Sequence, residues 1–364
     1  MCRIESQVAS IESMKRPKVL PPQHQFAHDY CFYLLDYLAD FIGFGERTKS
    51  FNITIQFKDS NEADSIKGLE GEFIWKWLEE KGYSDKLGEL LLKSLFPALL
   101  ADFCQFTYEA LSCSGRGRLT VAYALLRKPL KENLAYLEWL LGDPQFLLTT
   151  LYNEPAAALA LGVLTQRDRH MPIIRAAARR TTNSEMYSEE FLYDLRYVKA
   201  AYYGFDSLWN KALHLVTTHK DLATEPQNLN FIFSGEEARH DQWDFLYSRL
   251  PFLLFYTADI CESLMAAILG DLMPDAAERI VRRGLGLVAC TAGSTELWKS
   301  QDVSHASSAD KVQLQLAIPC PKCCNSIGLP TVQIRELFVN GRTRCSSCRR
   351  TVRTADMAVK PYAA

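Results

Sequence analysis

Two CxxC pairs, Cys320/Cys323 and Cys345/Cys348, constrain this chain more than any other feature. They sit in residues 318–354, IPCPKCCNSIGLPTVQIRELFVNGRTRCSSCRRTVRT, with 21 residues between Cys323 and Cys345. A CxxC turn holds two thiolates about one ligand–ligand distance apart, and two such turns complete the tetrahedron that Zn²⁺ prefers. Four thiolates leave no coordination position for a reactive water, so the expected ion is structural, not catalytic. Cys324 adjoins Cys323, but the CxxC spacing selects Cys323 as the ligand. Between the knuckles, Val332, Ile334 and Leu337 to Val339 read as short β-type runs. Asn340-Gly341 there suits a two-residue type I′ hairpin turn. A piece of roughly 40 residues buries too little apolar surface to fold alone, so a metal is the expected staple. The competing reading of these cysteines is a redox pair or a disulfide, but two matched knuckles are more specific than a lone one.

This stretch resembles the zinc ribbon family, a small hairpin-and-knuckle fold found in nucleic-acid machinery and as an adaptor. The resemblance covers about a tenth of the chain, residues 315–356, and implies zinc through Cys320, Cys323, Cys345 and Cys348. It does not name a partner. Charge adds a second signal. Residues 312–364 carry eight Lys/Arg and two Asp/Glu, a balance of +6, whereas the remainder balances at −8. Arg342, Arg344, Arg349, Arg350 and Arg353 crowd the second knuckle. Arginine suits bidentate phosphate contact, so DNA or RNA is the first expected partner. The alternative is a docking or self-association module whose arginines pair with an acidic helical domain.

The rest of the chain reads as mainly α, a multi-helix domain over residues 23–298 with a minor β element. Residues 1–22 read as a flexible arm, and the polar, Ser-rich residues 299–314 as a linker before the ribbon. Phe26, Tyr30, Tyr33, Leu34, Tyr37, Leu38 and Phe41 recur at helical spacing. FNITIQF, residues 51–57, alternates strictly and is the best strand candidate outside the ribbon, with NFIF at 230–233 as a conceivable partner. Pro97 predicts a bend in a long helix over 85–112, and Pro129 divides two helices over 118–127 and 130–142. The apolar run 251–274 is broken by Asp259, Glu262 and Asp271, which argues for a buried helix and against a membrane span. The N-terminus lacks an apolar secretory core, and of eleven cysteines those outside the ribbon scatter through apolar stretches. Both facts suit a reducing, cytoplasmic setting.

Four helical stretches carry candidate chemistry. Glu237 and His240 share a helix face in SGEEARHDQW, but the sequence has no second Glu-x-x-His to complete a di-iron site. With Asp241 they could serve a nuclease or hydrolase, a third reading; the simpler one is an exposed helix start with acids in its first turn. His214 and His219 are five apart, a poor fit to one helix face. Arg127, Lys128, Lys131 and Glu132 read as a solvated face with snorkelling stems, and RDRHMPIIRAAARR (Arg167, Arg169, His170, Arg175, Arg179, Arg180) as either a phosphate reader or a face paired with nearby acids. P-loop, GxSxG, HExxH and GxGxxG motifs are absent from the sequence.

Overall fold

The computed structural model describes residues 19–70, 72–220, 223–226, 229–230, 235–291, 316–329 and 331–357. The chain is mainly helical, with its β structure confined among the described residues to short antiparallel pairs near the C-terminus. The principal helices are α1 (Pro22–Thr48), α2 (Asp85–Gly115), α3 (Leu119–Arg127), α4 (Leu134–Gly142), α5 (Arg167–Ala178), α6 (Glu189–Tyr197), α7 (Glu236–Leu269) and α8 (Ala276–Thr291). Shorter helices such as Asp206–Leu213 fill the connections.

Helix α1 begins where its sequence permits. Pro22 occupies the first turn, where a missing N–H costs nothing. Of the expected arm, residues 1–18 lie outside the described residues, but Val19 and Leu20 belong to the fold. The Val19 amide donates to the Gly115 carbonyl at 3.0 Å, and Leu20 is buried. Tyr30, Leu34, Tyr37, Leu38 and Phe41 all turn inward, as the helical spacing predicts. They meet α2 and α7, which with α1 form the centre of the main core.

Helix α7 explains the apolar run. From Leu250 to Cys261 every side chain is buried, so the helix is apolar on all sides because protein surrounds it. It is long and apolar enough to cross a membrane, yet 72% of its most apolar window is buried within the fold. Asp259 and Glu262, the acids that interrupt the run, meet Arg283 of α8. The Arg283 guanidinium donates to Asp259 and, at 3.1 Å, to Glu262. Tyr187 and Asn183 donate to Asp259, and Tyr37 donates to Glu262. A buried cation is thus shared by two buried carboxylates, the pairing that a charge inside a core requires.

Two expectations need correction. FNITIQF is not a strand. Its alternation is real, since Phe51, Ile53 and Ile55 are half-buried while the residues between them are exposed. No strand pairs with it among the described residues; instead Lys93 donates to the Asn52 carbonyl at 2.9 Å and Tyr83 to the Gln56 carbonyl at 2.9 Å. Side chains from a helical body satisfy the groups a sheet would have taken. Of the possible partner NFIF, residues 231–233 lie outside the described residues. Pro129, expected to divide two helices, lies instead in a π-helical turn, Lys128–Asn133, that joins α3 to α4 without a break. The wider turn is held from outside: Asn133 donates to the Leu99 carbonyl, and Tyr197 to the Lys131 carbonyl at 2.9 Å.

Candidate metal centre

The C-terminal module runs β1 (Leu316–Pro319), β2 (Ser326–Leu329), α9 (Thr331–Asn340), β3 (Arg342–Arg344) and β4 (Thr351–Arg353). β1 pairs with β2 and β3 with β4, both antiparallel. Each CxxC therefore forms the tip of its own small hairpin. This overturns the single hairpin expected between the knuckles: residues 331–340 are helical. Ile334, Leu337 and Phe338, at i, i+3 and i+4, are its buried side, a helical spacing that outweighs the β propensity of the individual residues. Asn340-Gly341 ends the helix. Gly341 has φ +64° and its amide donates to the Leu337 carbonyl at 2.8 Å, the left-handed cap for which glycine is suited.

The two knuckles have the same local geometry. In the first, the Cys320 amide donates to Asn325 O and the Cys324 amide to Cys320 O, each at 2.9 Å. In the second, the Cys345 amide donates to Arg350 O and the Arg349 amide to Cys345 O, again at 2.9 Å. Both turns need a left-handed residue after the second cysteine, and Cys324 and Arg349 each have φ +58°. That conformation carries the Cys324 side chain outward, where it is exposed, while Cys323 turns in.

The four sulfurs of Cys320, Cys323, Cys345 and Cys348 lie within 4.8 Å of one another. Cys320 Sγ is 3.6 Å from Cys348 Sγ, and Cys323 Sγ is 3.7 Å from Cys345 Sγ. A tetrahedral ion with metal–sulfur bonds of about 2.3 Å sets its sulfurs about 3.8 Å apart. A disulfide would need about 2.05 Å, and these cysteines are free. Both pairs join cysteines of opposite knuckles, so one ion would tie the two hairpins together. Backbone amides reinforce the site. The Cys323 and Lys322 amides draw the Cys320 thiol down to about 6, and the Cys348 amide lowers Cys345 against the effect of its burial. At Cys323 the Asn325 amide pulls down, but burial and hydrogen bonds with the neighbouring sulfurs prevail, and its thiol rises to about 12. Four crowded thiols cannot all ionise without a cation among them. The site could hold one metal ion.

The module is packed against the helical domain. Leu285 and Ala289 of α8 join Ile327, Leu329, Ile334, Leu337 and Val352 in a second apolar cluster that includes the buried Cys320 and Cys345. Phe338 enters the main core, edge-on to Phe26, Tyr30 and Tyr33. Gly286 makes this contact possible, because a Cβ there would lie 2.2 Å from the Tyr30 ring. Arg282 donates to the Phe338 and Val339 carbonyls at 2.7 and 3.1 Å, placing a cation at the negative end of α9. Thr354 donates to Glu278 at 2.8 Å. The expected linker, 299–314, lies outside the described residues.

No family model matches the chain, nor does any curated protein or solved structure. The site must be read from its own chemistry. The five arginines expected to meet a polyanion, Arg342, Arg344, Arg349, Arg350 and Arg353, are all exposed. The docking contacts run through α8 and α9 instead. The other candidates resolve into structure. Arg127 pairs with Glu132 at 3.4 Å, Lys128 with Asp102 at 2.8 Å, and Lys131 with buried Asp206. Arg167 pairs with Asp194 at 2.7 Å and Arg175 with Glu189, so the basic helix is a face paired with acids. Its histidine, His170, is buried: Nε2 lies 2.9 Å from Glu138, too poorly aligned for a hydrogen bond, and Arg196 grips both oxygens of the same carboxylate. Burial lowers the His170 pKa. Glu236, Glu237, His240 and Asp241 occupy the first turns of α7, with the His240 ring against Trp243. No hydrogen bond or ion pair among the described residues joins Glu237, His240, Arg127 and Arg175. His214 ends the helix Asp206–Leu213, and His219 is exposed in the following segment.

Proposed function

We propose that the four cysteines bind one structural zinc ion, and that the resulting zinc-ribbon-like module presents a basic surface to nucleic acid in the cytoplasm. All-sulfur ligation, closed to water, is the donor set zinc takes in structural sites. The observation that carries the reading is the disposition of the arginines. They lie around the second knuckle and are exposed. Arg342, Arg344, Arg349 and Arg350 form no ion pair among the described residues. A rigid, metal-tied hairpin holds them at fixed spacing, which limits the entropy lost on contacting phosphates. Reduced cysteines throughout the described residues support the intracellular setting.

The test is binding of the zinc-loaded chain to DNA and RNA across a salt series. Affinity should fall steeply with rising salt, because each phosphate contact releases counterions. Affinity indifferent to salt, or none, would remove the reading. If the mass of the protein in solution instead showed copies assembling through the arginines, with no nucleic acid bound, the module would be a self-association device.

A further inference from the structure

A groove of about 560 Å³ runs between α9 and the β3–β4 ladder. One wall is the exposed face of α9, where Gln333, Glu336 and Asn340 fall at i, i+3 and i+7. The other wall carries Arg342, Arg344 and Thr351. In the ladder Arg342 stands directly opposite Arg353, and Arg344 opposite Thr351, while Val352 between them is buried on the reverse side. Arg342 and Arg344 are two apart in the strand and so share one face of the ladder, a positive wall that favours an anion. Neither the Arg342 nor the Arg344 side chain has a hydrogen bond or ion pair among the described residues.

We propose that this groove straddles one strand of duplex DNA, with α9 laid along the major groove and Arg342 and Arg344 on the phosphates behind it. The inference rests on the nucleic-acid reading above and specifies its ligand. Three observations select duplex DNA. First, the wall of α9 is amide, carboxylate, amide, the side chains that read base edges: Gln and Asn on adenine, Glu on the cytosine amino group. A carboxylate such as Glu336 is misplaced in a site meant for phosphate alone. Second, the single aromatic residue of positions 316–357 is Phe338, and it is buried against Tyr30 and Tyr33. Among its described residues the module therefore has no aromatic platform on which unpaired bases could stack. Third, the major groove of B-form DNA admits a helix, whereas that of A-form RNA is too narrow for side chains to read.

The experiment uses the zinc-loaded full chain and fluorescently labelled duplex DNA, the same sequence as single strand, and the same sequence as duplex RNA. Duplex DNA should bind on the order of ten-fold tighter than the other two. Arg342→Ala and Arg344→Ala should weaken binding to every duplex sequence and shrink the salt slope by about 0.9 each. Gln333→Ala and Asn340→Ala should leave the slope intact. On a sequence selected from a random duplex pool they should cost on the order of ten-fold, with little change on unselected DNA. All four side chains are exposed, so zinc content and thermal midpoint should be unchanged, separating lost contact from lost fold. Equal affinity for single strand or duplex RNA overturns the inference but leaves the basic-surface reading standing, as does a selection that enriches no sequence. Absence of binding to all three nucleic acids removes both.

Discussion

Cys324 and Arg349 hold the least comfortable backbone in the module. A left-handed conformation costs a side-chain-bearing residue about 1–2 kcal/mol, and both knuckles require it at the same position. Cys324→Gly and Arg349→Gly should each raise the stability of the zinc-loaded protein by about 1 kcal/mol, measured by denaturant unfolding. A loss would mean that their side chains contribute contacts beyond the turn. Cys324 also tests the ligand assignment. Cys324→Ser should keep one zinc per chain by elemental analysis, and Cys323→Ser should lose it. Gly286 is the opposite case, since its φ is ordinary and its constraint is space. Gly286→Ala should destabilise by about 1–3 kcal/mol, because the Tyr30 ring occupies the place a methyl would need. CxxC spacing alone separated Cys323 from Cys324. Nothing in the sequence singled out Gly286, because the rings that crowd it come from α1 and α9.

At the scale of elements, buried ion networks hold α4, α5 and α6 together. Glu138, His170 and Arg196 are each fully buried, one from each helix. Burial by itself would raise the Glu138 pKa, but Arg196 and His170 outweigh it and hold it low. The His170 pKa is lowered by burial, so the unfolded chain takes up this proton first. The unfolded state then binds more protons, and stability declines as pH falls below about 6.5 toward the folded pKa. Glu138 continues the loss at lower pH, below the unfolded carboxylate value of about 4.3 and through its folded pKa. Thermal midpoints taken from pH 8 to 5 should fall, and His170→Phe should flatten that slope. Glu138→Ala should cost about 3–5 kcal/mol, since it strands a buried guanidinium. Helix periodicity made these helices legible, but not which charged residue on each faced inward. His170 reads as part of a basic stretch until α6 supplies its surroundings. The same limit produced the misread helix at 331–340: β-favouring residues suggested strands, whereas the i, i+3, i+4 spacing of Ile334, Leu337 and Phe338 was the stronger signal.

Taken whole, the molecule is a helical body with its four-cysteine module fastened to α8. Arg283 anchors α8 to the body through Asp259 and Glu262, while Leu285 and Ala289 belong to the module's core. Metal removal should therefore be felt on both sides. A strong chelator should lower the thermal midpoint of the helical signal and raise binding of a hydrophobic dye, as Tyr30, Phe26 and Leu285 lose cover. A helical signal that melts unchanged without zinc would show the docking to be energetically idle. Deleting residues 312–364 should destabilise the remainder for the same reason.

The amino-acid sequence by itself determined the helical class, the burial of the apolar run from its start at 251 to Met265, and the four cysteines that could hold a metal ion. Those features depend on local period and on the spacing of one residue type, and both survive in one dimension. Only the tertiary structure decided that FNITIQF has no strand partner among the described residues, that Pro129 sits in a π-turn, and that Arg283 is buried between two acids. It also set Phe338 against Tyr30 across Gly286, and it left Arg342 and Arg344 facing an open groove. Each of these depends on groups far apart in the chain, and the free energy of burying or pairing a side chain belongs to the neighbours that folding brings to it.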